Sequence, residues 1–262
     1  MVSVGDLSLG QHAWFPYGSA EERMCALAPY VREGLNRNER VLCLGDMEPR
    51  QHMLLGLGES GRHAVAQGQL VFEDSHRTYL QSGRFDGDRM IGHYTQATNS
   101  ALGMGFKGMR IAADMQWAAP VQHIDELIAY EQQLDGVFER MPAMVVCEYD
   151  RRAFSACALA RIESAHSLAL PPGALYFSGV IDLVTRAAFR RALHAAANSG
   201  RDEVVIDLRN VTYIDAGAIG VISALAKERM PSIRVRVGPR LKRIFDLLKP
   251  TIAPELSVEE VG

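Results

Sequence analysis

The sequence predicts an α/β protein of two units, and three observations carry that prediction. Apolar runs ending in an acid, "RVLCLGD", "MRIAAD" and "AMVVCEYD", recur between residues 40 and 150. Between them lie stretches whose apolar residues return at helical spacing, the alternation of a three-layer domain on a mainly parallel sheet. A Pro-Pro-Gly turn signal at 171–173 then opens a second, shorter series of strands and helices. The expected domains are 1–160 and 161–262, both of ordinary size.

The elements follow in order. Ser19 caps a helix whose first turn holds Glu21 and Glu22, where the helix dipole favours acids. Met24, Leu27, Ala28, Val31 and Leu35 line one face of it, and "GLNRNE" ends it. The strand "RVLCLGD" comes next, then a helix near 48–60, the strand "QLVFED" and a helix over about 86–102. After the strand "MRIAAD" a helix near 122–139 leads into "AMVVCEYD". From Arg161 to the Pro-Pro-Gly break the chain reads as a linker plus a first strand. Beyond it come the strand "ALYFSGVID", a helix "TRAAFRRALHAAANSG" and the strand "EVVIDLRN". A helix over 217–228, the strand "IRVRVG" and a helix "PRLKRIFDLLKP" complete the second unit.

Composition excludes several classes. Hydrophobic residues make up 48% of 262, too many for a disordered chain. A net charge of −3 gives no global pull towards nucleic acid or an anionic membrane, so neither is expected as a partner. No apolar run is long enough to cross a membrane, and "MVSVGDLSLGQHAW" lacks the basic-then-apolar order of a signal peptide. Cys25, Cys43, Cys147 and Cys157 form no C-x-x-C pair, so reduced thiols in a cytoplasmic protein are expected.

The stretch "VVIDLRNVTYIDAGAIGVI" takes a buried strand through a turn into a helix. With "GVIDLVTRAAFRRAL" before it and "VRVGPRLKRIFDLL" after it, the last third of the chain resembles the STAS domain of anti-sigma factor antagonists. The resemblance implies a protein-binding module whose partner is an anti-sigma factor with a histidine-kinase-like fold. In that family a hydroxyl two residues after the turn aspartate is phosphorylated by the partner. Counted from Asp215 that position is Gly217, preceded by Ala216 and followed by Ala218, so the phospho-acceptor is missing. Asp215 itself reads first as the N-cap of the helix, and Asp215 to Ala218 as the partner-binding turn. Thr212 and Ser223 lie too far away to replace the hydroxyl.

In the first unit the segment 10–34 stands where a phosphate loop would stand, yet it has no G-x-x-x-x-G-K-[ST]. Lys107 is the only lysine before residue 163. ATP hydrolysis is therefore not expected, and neither is any other enzymatic activity. The pieces "GQHAWFPY", "REGLNRNERVLCLGD", "GQLVFEDSHRTYLQSGRFDGDRM", "GMRIAADMQWA", "YEQQL" and "VVCEYDRRAF" occur in the order of the DcmR-like sensory domain, MEDS, which residues 8–155 resemble. The resemblance implies a KaiC-type, P-loop-like fold that has lost its Walker motif and senses a small ligand, hydrocarbon derivatives among the suggestions.

On that resemblance His12 and Tyr17 match the opening motif, Asp114, Met115 and Trp117 a strand-end motif, Tyr130 and Glu131 a helix motif, and Cys147, Tyr149 and Asp150 the last strand. Trp14 departs from it, standing where a small residue or Cys is usual. His12, Tyr17, Asp114, Trp117, Cys147 and Tyr149 are the candidate ligand residues, expected on loops at the carboxyl ends of strands, where parallel sheets bind ligands. The blander reading makes His12 a structural histidine, Trp117 a core residue and Cys43 a strand-core thiol. A His12–Cys147 metal pair lacks a third ligand in the pattern, so no metal is expected and the cofactor is left unknown. Two further readings stand beside the antagonist: a scaffold assembling a stressosome-like complex, which fits a possible homo-oligomer, and a nucleotide-dependent enzyme.

Overall fold

The computed structural model describes residues 7–119, 124–170, 174–198, 202–228 and 232–261. The Pro-Pro-Gly break at 171–173 and the expected start of a helix at 122 fall outside them. The chain divides into two compact units, Met1–Tyr17 with Tyr30–Pro171, and Gly18–Pro29 with Pro172–Gly262.

In chain order the first unit begins with β1 (His12–Tyr17), followed by α1 (Ala20–Asn36), whose residues from Tyr30 on belong to it. β2 (Arg40–Leu44), α2 (Met47–Ala66), β3 (Leu70–Glu73), α3 (Ser75–Tyr79) and α4 (Gly87–Gly103) come next. β4 (Met109–Asp114), α5 (Ile124–Phe138), β5 (Ala143–Asp150), α6 (Ala156–Glu163) and the two-residue β6 (Leu168–Ala169) complete it. The six strands form one sheet in the order β3-β2-β4-β5-β1-β6, every pair parallel.

The segment expected to be a loop around His12 and Tyr17 is instead β1, buried along its whole length between β5 and β6. Pro16 disguises it, because a proline cannot donate to a ladder. Here it costs nothing. The Trp14 carbonyl accepts from the Leu170 N–H, so the even residues of β1 turn their backbone groups towards β6, and Pro16 lies past the end of that short strand. α2 runs to Ala66, beyond the expected end near 60, and is interrupted at Gly58, whose φ of 65° is open to a residue without a Cβ.

Side chains alternate between the two faces of the sheet. One face carries Trp14, Leu42, Leu44, Ile111, Ala113, Val145, Cys147 and Tyr149, packed with Met90 and Tyr94 of α4 and Leu127, Tyr130 and Leu134 of α5. On the other, the buried Arg110 pairs with Glu39 at 2.6 Å and stacks 4.7 Å over the ring of Tyr30.

The second unit holds β7 (Ala174–Ile181), α7 (Arg186–Ala197), β8 (Glu203–Ile214), α8 (Ala216–Lys227), β9 (Ser232–Val237), α9 (Pro239–Leu248) and β10 (Ser257–Glu260). Its sheet runs β10-β9-β8-β7, again all parallel, over a core that includes Leu175, Phe189, Ile206, Ile222, Val235 and Phe245. No helix among the described residues is long and apolar enough to cross a membrane.

Candidate functional site

One cluster of buried ionisable residues in the first unit forms where β1, α5 and β5 meet. His12 opens β1, and α5 lies over that face of the sheet. Glu131 and Asp135 are one helical turn apart on α5, so their carboxylates emerge on the same side. They take the two nitrogens of one ring: His12 Nε2 is 3.0 Å from Glu131 Oε2, and His12 Nδ1 is 3.0 Å from Asp135 Oδ1. The Tyr149 hydroxyl donates to Glu131 Oε1 at 2.5 Å, fixing the rotation of that carboxylate. Cys147, two residues earlier on β5, brings its Sγ to 3.5 Å from His12 Nε2.

His166, between α6 and β6, closes the group. Its Nε2 is 3.3 Å from Glu131 Oε2, its Nδ1 is 2.8 Å from the Ile162 carbonyl, and its ring centre is 4.2 Å from that of His12. The side chains of His12, Glu131 and His166 are shut off from solvent, and that of Asp135 is partly open.

Burial by itself would lower the His12 pKa, but hydrogen bonds to Asp135 and Glu131 and the charge of both outweigh it, so the net shift is upward. Burial would raise the Glu131 carboxyl, yet the charge of His166, 3.3 Å away, and the hydrogen bond to His12 hold it far below the carboxylate range. Cys147 is pushed well up by burial and then by the Glu131 charge, so in this setting it is a thiol. The ligand atoms of His12, Glu131, Cys147 and His166 all lie within 4.8 Å of one another, a set able to hold a cation.

Of the residues picked out in the sequence, His12, Cys147 and Tyr149, named as ligand candidates, share this cluster with Glu131, noted there only as part of a helix motif. Trp117 is nearby in a separate aromatic stack, 4.5 Å from the Tyr79 ring and 4.9 Å from Phe85. Tyr17 and Asp114 are not with them. The two-residue period of a strand puts Tyr17 and Asp114 on the opposite face, in register with Asp150 and Glu148. Asp114 there accepts from the Gln116 N–H at 3.0 Å, turning the chain after β4. Asp135 and His166 were missed. The i, i+4 acids of α5 were open to notice, whereas His166 stands in a stretch read as a linker.

In the second unit Asp215 caps α8, accepting from the Ala218 N–H at 2.7 Å through Oδ1. Its other oxygen pairs with the Arg186 guanidinium. Hydrogen bonding from Arg186, ahead of the backbone N–H groups of Ala218 and Gly217, holds the Asp215 carboxyl below its usual range despite some desolvation. A Cβ at Gly217 would lie 2.4 Å from Arg186 Cζ, so this guanidinium fills the place where a hydroxyl-bearing side chain would project. Around it, at the carboxyl ends of β7 and β8, Val180, Leu183, Val184 and Tyr213 are 48%, 77%, 84% and 51% exposed.

Comparison with known proteins matches residues 11–167 to the family described as MEDS, the MEthanogen/methylotroph, DcmR Sensory domain. Residues 166–249 match the family described as Mlab, STAS domain. No curated protein matches the chain. Among solved structures, the flagellar accessory protein FlaH from Methanocaldococcus jannaschii is similar at a TM-score of 0.43 and 11% identity, over 63% of this chain and 73% of that one. A KaiC-like protein from the hyperthermophilic archaeon Pyrococcus horikoshii OT3 is similar at a TM-score of 0.42 and 12% identity, over 60% of this chain and 67% of that one.

Proposed function

The chain belongs to the MEDS family and carries a STAS domain after it, and from that premise we propose that it is a cytoplasmic anti-sigma factor antagonist acting by binding, not catalysis. The second unit docks an anti-sigma factor of histidine-kinase-like fold, without serine phosphorylation. The first unit senses a small ligand or signal and sets how well the second binds.

The observation that carries this reading is the apolar patch of Val180, Leu183, Val184 and Tyr213 beside the Asp215 cap. Large aliphatic side chains at that exposure are costly to leave in water, and together with a charged rim they have the composition of a protein-binding surface. The rim supports the same reading. Phosphoserine at 217 would add nearly two negative charges, whereas Gly217 with Arg186 over it presents a cation paired to Asp215. Control by the first unit is then a population shift, which requires its ligand to bind one state of the chain better than the other.

The test is a pull-down from native lysate with two baits, the full chain and its Leu183→Asp/Val184→Asp variant. The proposal expects a kinase-fold anti-sigma factor, identified by mass spectrometry, with the first bait and not with the second. Its absence from both, or equal recovery by both, sinks the reading.

A further inference from the structure

His12 and His166 share an arrangement that the sensory reading does not use. Each ring gives its Nδ1 to an oxygen that can only accept. For His12 it is the ionised carboxylate of Asp135 at 3.0 Å, and for His166 the carbonyl of Ile162 at 2.8 Å. Both Nδ1 atoms therefore carry the hydrogen, and in a neutral ring both Nε2 atoms are left as bare lone pairs. These lone pairs meet the same carboxylate oxygen, Glu131 Oε2, at 3.0 and 3.3 Å, and His166 Nε2 makes no aligned hydrogen bond there. Three acceptors converging in a buried place require a cation among them. A proton on an imidazole is one; a metal ion is the other.

We propose that His12 Nε2, His166 Nε2, one carboxylate oxygen of Glu131 and the Cys147 Sγ form a four-coordinate site for a divalent cation of the zinc class. In a regular tetrahedron with zinc–ligand bonds of about 2.0–2.3 Å, ligand atoms stand roughly 3.3–3.8 Å apart. Here Glu131 Oε2 is 3.0 Å from one histidine and 3.3 Å from the other, Cys147 Sγ is 3.5 Å from His12 Nε2, and no pair exceeds 4.8 Å. The remaining gap closes by side-chain rotation.

The surroundings are those of a metal site. Histidine ligands characteristically give their second nitrogen to a carboxylate or a carbonyl, which sets the tautomer and aims the ring, as Asp135 and Ile162 do. Tyr149 holds the other oxygen of Glu131 in place. A thiolate among the ligands disfavours magnesium and calcium, and two imidazoles with a thiolate and a carboxylate suit zinc.

Charge agrees as well. Two neutral imidazoles, one carboxylate, one thiolate and a dication sum to zero, which is the least costly state to bury. On binding, the Cys147 S–H loses its proton to solvent and a sulfur–metal bond forms, with no change of oxidation state. All four positions are filled by protein, so the ion ties β1, α5, β5 and the segment before β6 together and leaves no place for a substrate. The expectation of no metal rested on the want of a third ligand; Glu131 and His166 are the third and fourth. This inference stands apart from the partner-binding reading.

The test uses the full chain, stripped with a chelator and checked for its fold by circular dichroism, then titrated with Co2+. Saturation at one equivalent is expected, with the intense visible bands of tetrahedral cobalt and a sulfur-to-cobalt charge-transfer band, both abolished by added Zn2+. Cys147→Ser should remove the charge-transfer band and Cys157→Ser, at an exposed thiol, should keep it. His166→Gln should weaken cobalt binding at least tenfold. A folded chain that shows no saturable cobalt spectrum overturns the proposal, and so does a charge-transfer band that survives Cys147→Ser.

Discussion

The guanidinium of Arg186 occupies the space that a side chain at Gly217 would need. A serine there has to push it aside, and the Arg186–Asp215 pair is then lost or remade. The obstacle is the far end of a flexible side chain, so the second unit should still fold. Gly217→Ser is expected to lower the thermal midpoint, and adding Arg186→Ala should relieve most of that loss. A double-mutant cycle by thermal denaturation reads the coupling directly, and additive effects would show that the two positions do not share the space.

Asp215 serves α8 in two ways that substitution can separate. Asp215→Ala removes the cap on Ala218 and should cost about 1 kcal/mol in urea denaturation. Asp215→Asn keeps a capping oxygen and loses only the charge facing Arg186. It should therefore cost clearly less than the alanine variant.

The buried network of the first unit should be far less tolerant. Glu131 accepts from Tyr149 and faces two histidines, all without solvent. Removing its charge leaves the partners desolvated and unmatched, so Glu131→Gln in the metal-free chain should cost roughly 3–5 kcal/mol. Tyr149→Phe removes one hydrogen bond and should cost about 1–3 kcal/mol. Equilibrium unfolding of each variant ranks them, and equal costs would contradict the charge-centred account.

Arg110 and Glu39 form a second buried pair on the opposite face, where Arg110 also covers the Tyr30 ring. Glu39→Gln leaves that guanidinium buried without its counter-charge, at a cost of roughly 3–5 kcal/mol. Substituting both with Leu and Met should recover much of the loss, which the same unfolding experiment measures.

One pH effect has a definite sign. The Glu73 carboxyl is held below its usual value, first by the His93 ring, whose Nε2 lies 3.1 Å from it, and against some desolvation. A depressed carboxyl contributes stability at pH above its unfolded value of 4.5, and the contribution disappears as pH falls through the lower folded value. His93→Gln should accordingly narrow the stability difference between neutral and strongly acid solution. A thermal-denaturation series in pH reads it, and an unchanged acid limb would remove His93 from the account.

What could be read beforehand depended on how much each residue announces. The strands "RVLCL" and "MRIAAD" are runs long enough to be seen alone, and Asp215 before a small-residue helix carries its own capping signal. His12, Glu131, Cys147 and Tyr149 were noticed singly, but their company depends on β1 being a strand, which Pro16 hid. With that strand unseen, its period of two could not separate Tyr17 from His12. His166 was illegible for a different reason. It lies beside a two-residue strand, too short for any periodicity, and gains its role only from the sheet it joins.

β1 is the earliest strand of its unit in the chain, yet its neighbours in the sheet are β5 and β6, the last two. Its backbone groups stay in water until nearly all of that unit has emerged from the ribosome. Closing so long a loop is slow, because its entropy must be given up before the ladder forms. β1 thus joins late, and until it does the sheet is left with β5 as an open edge.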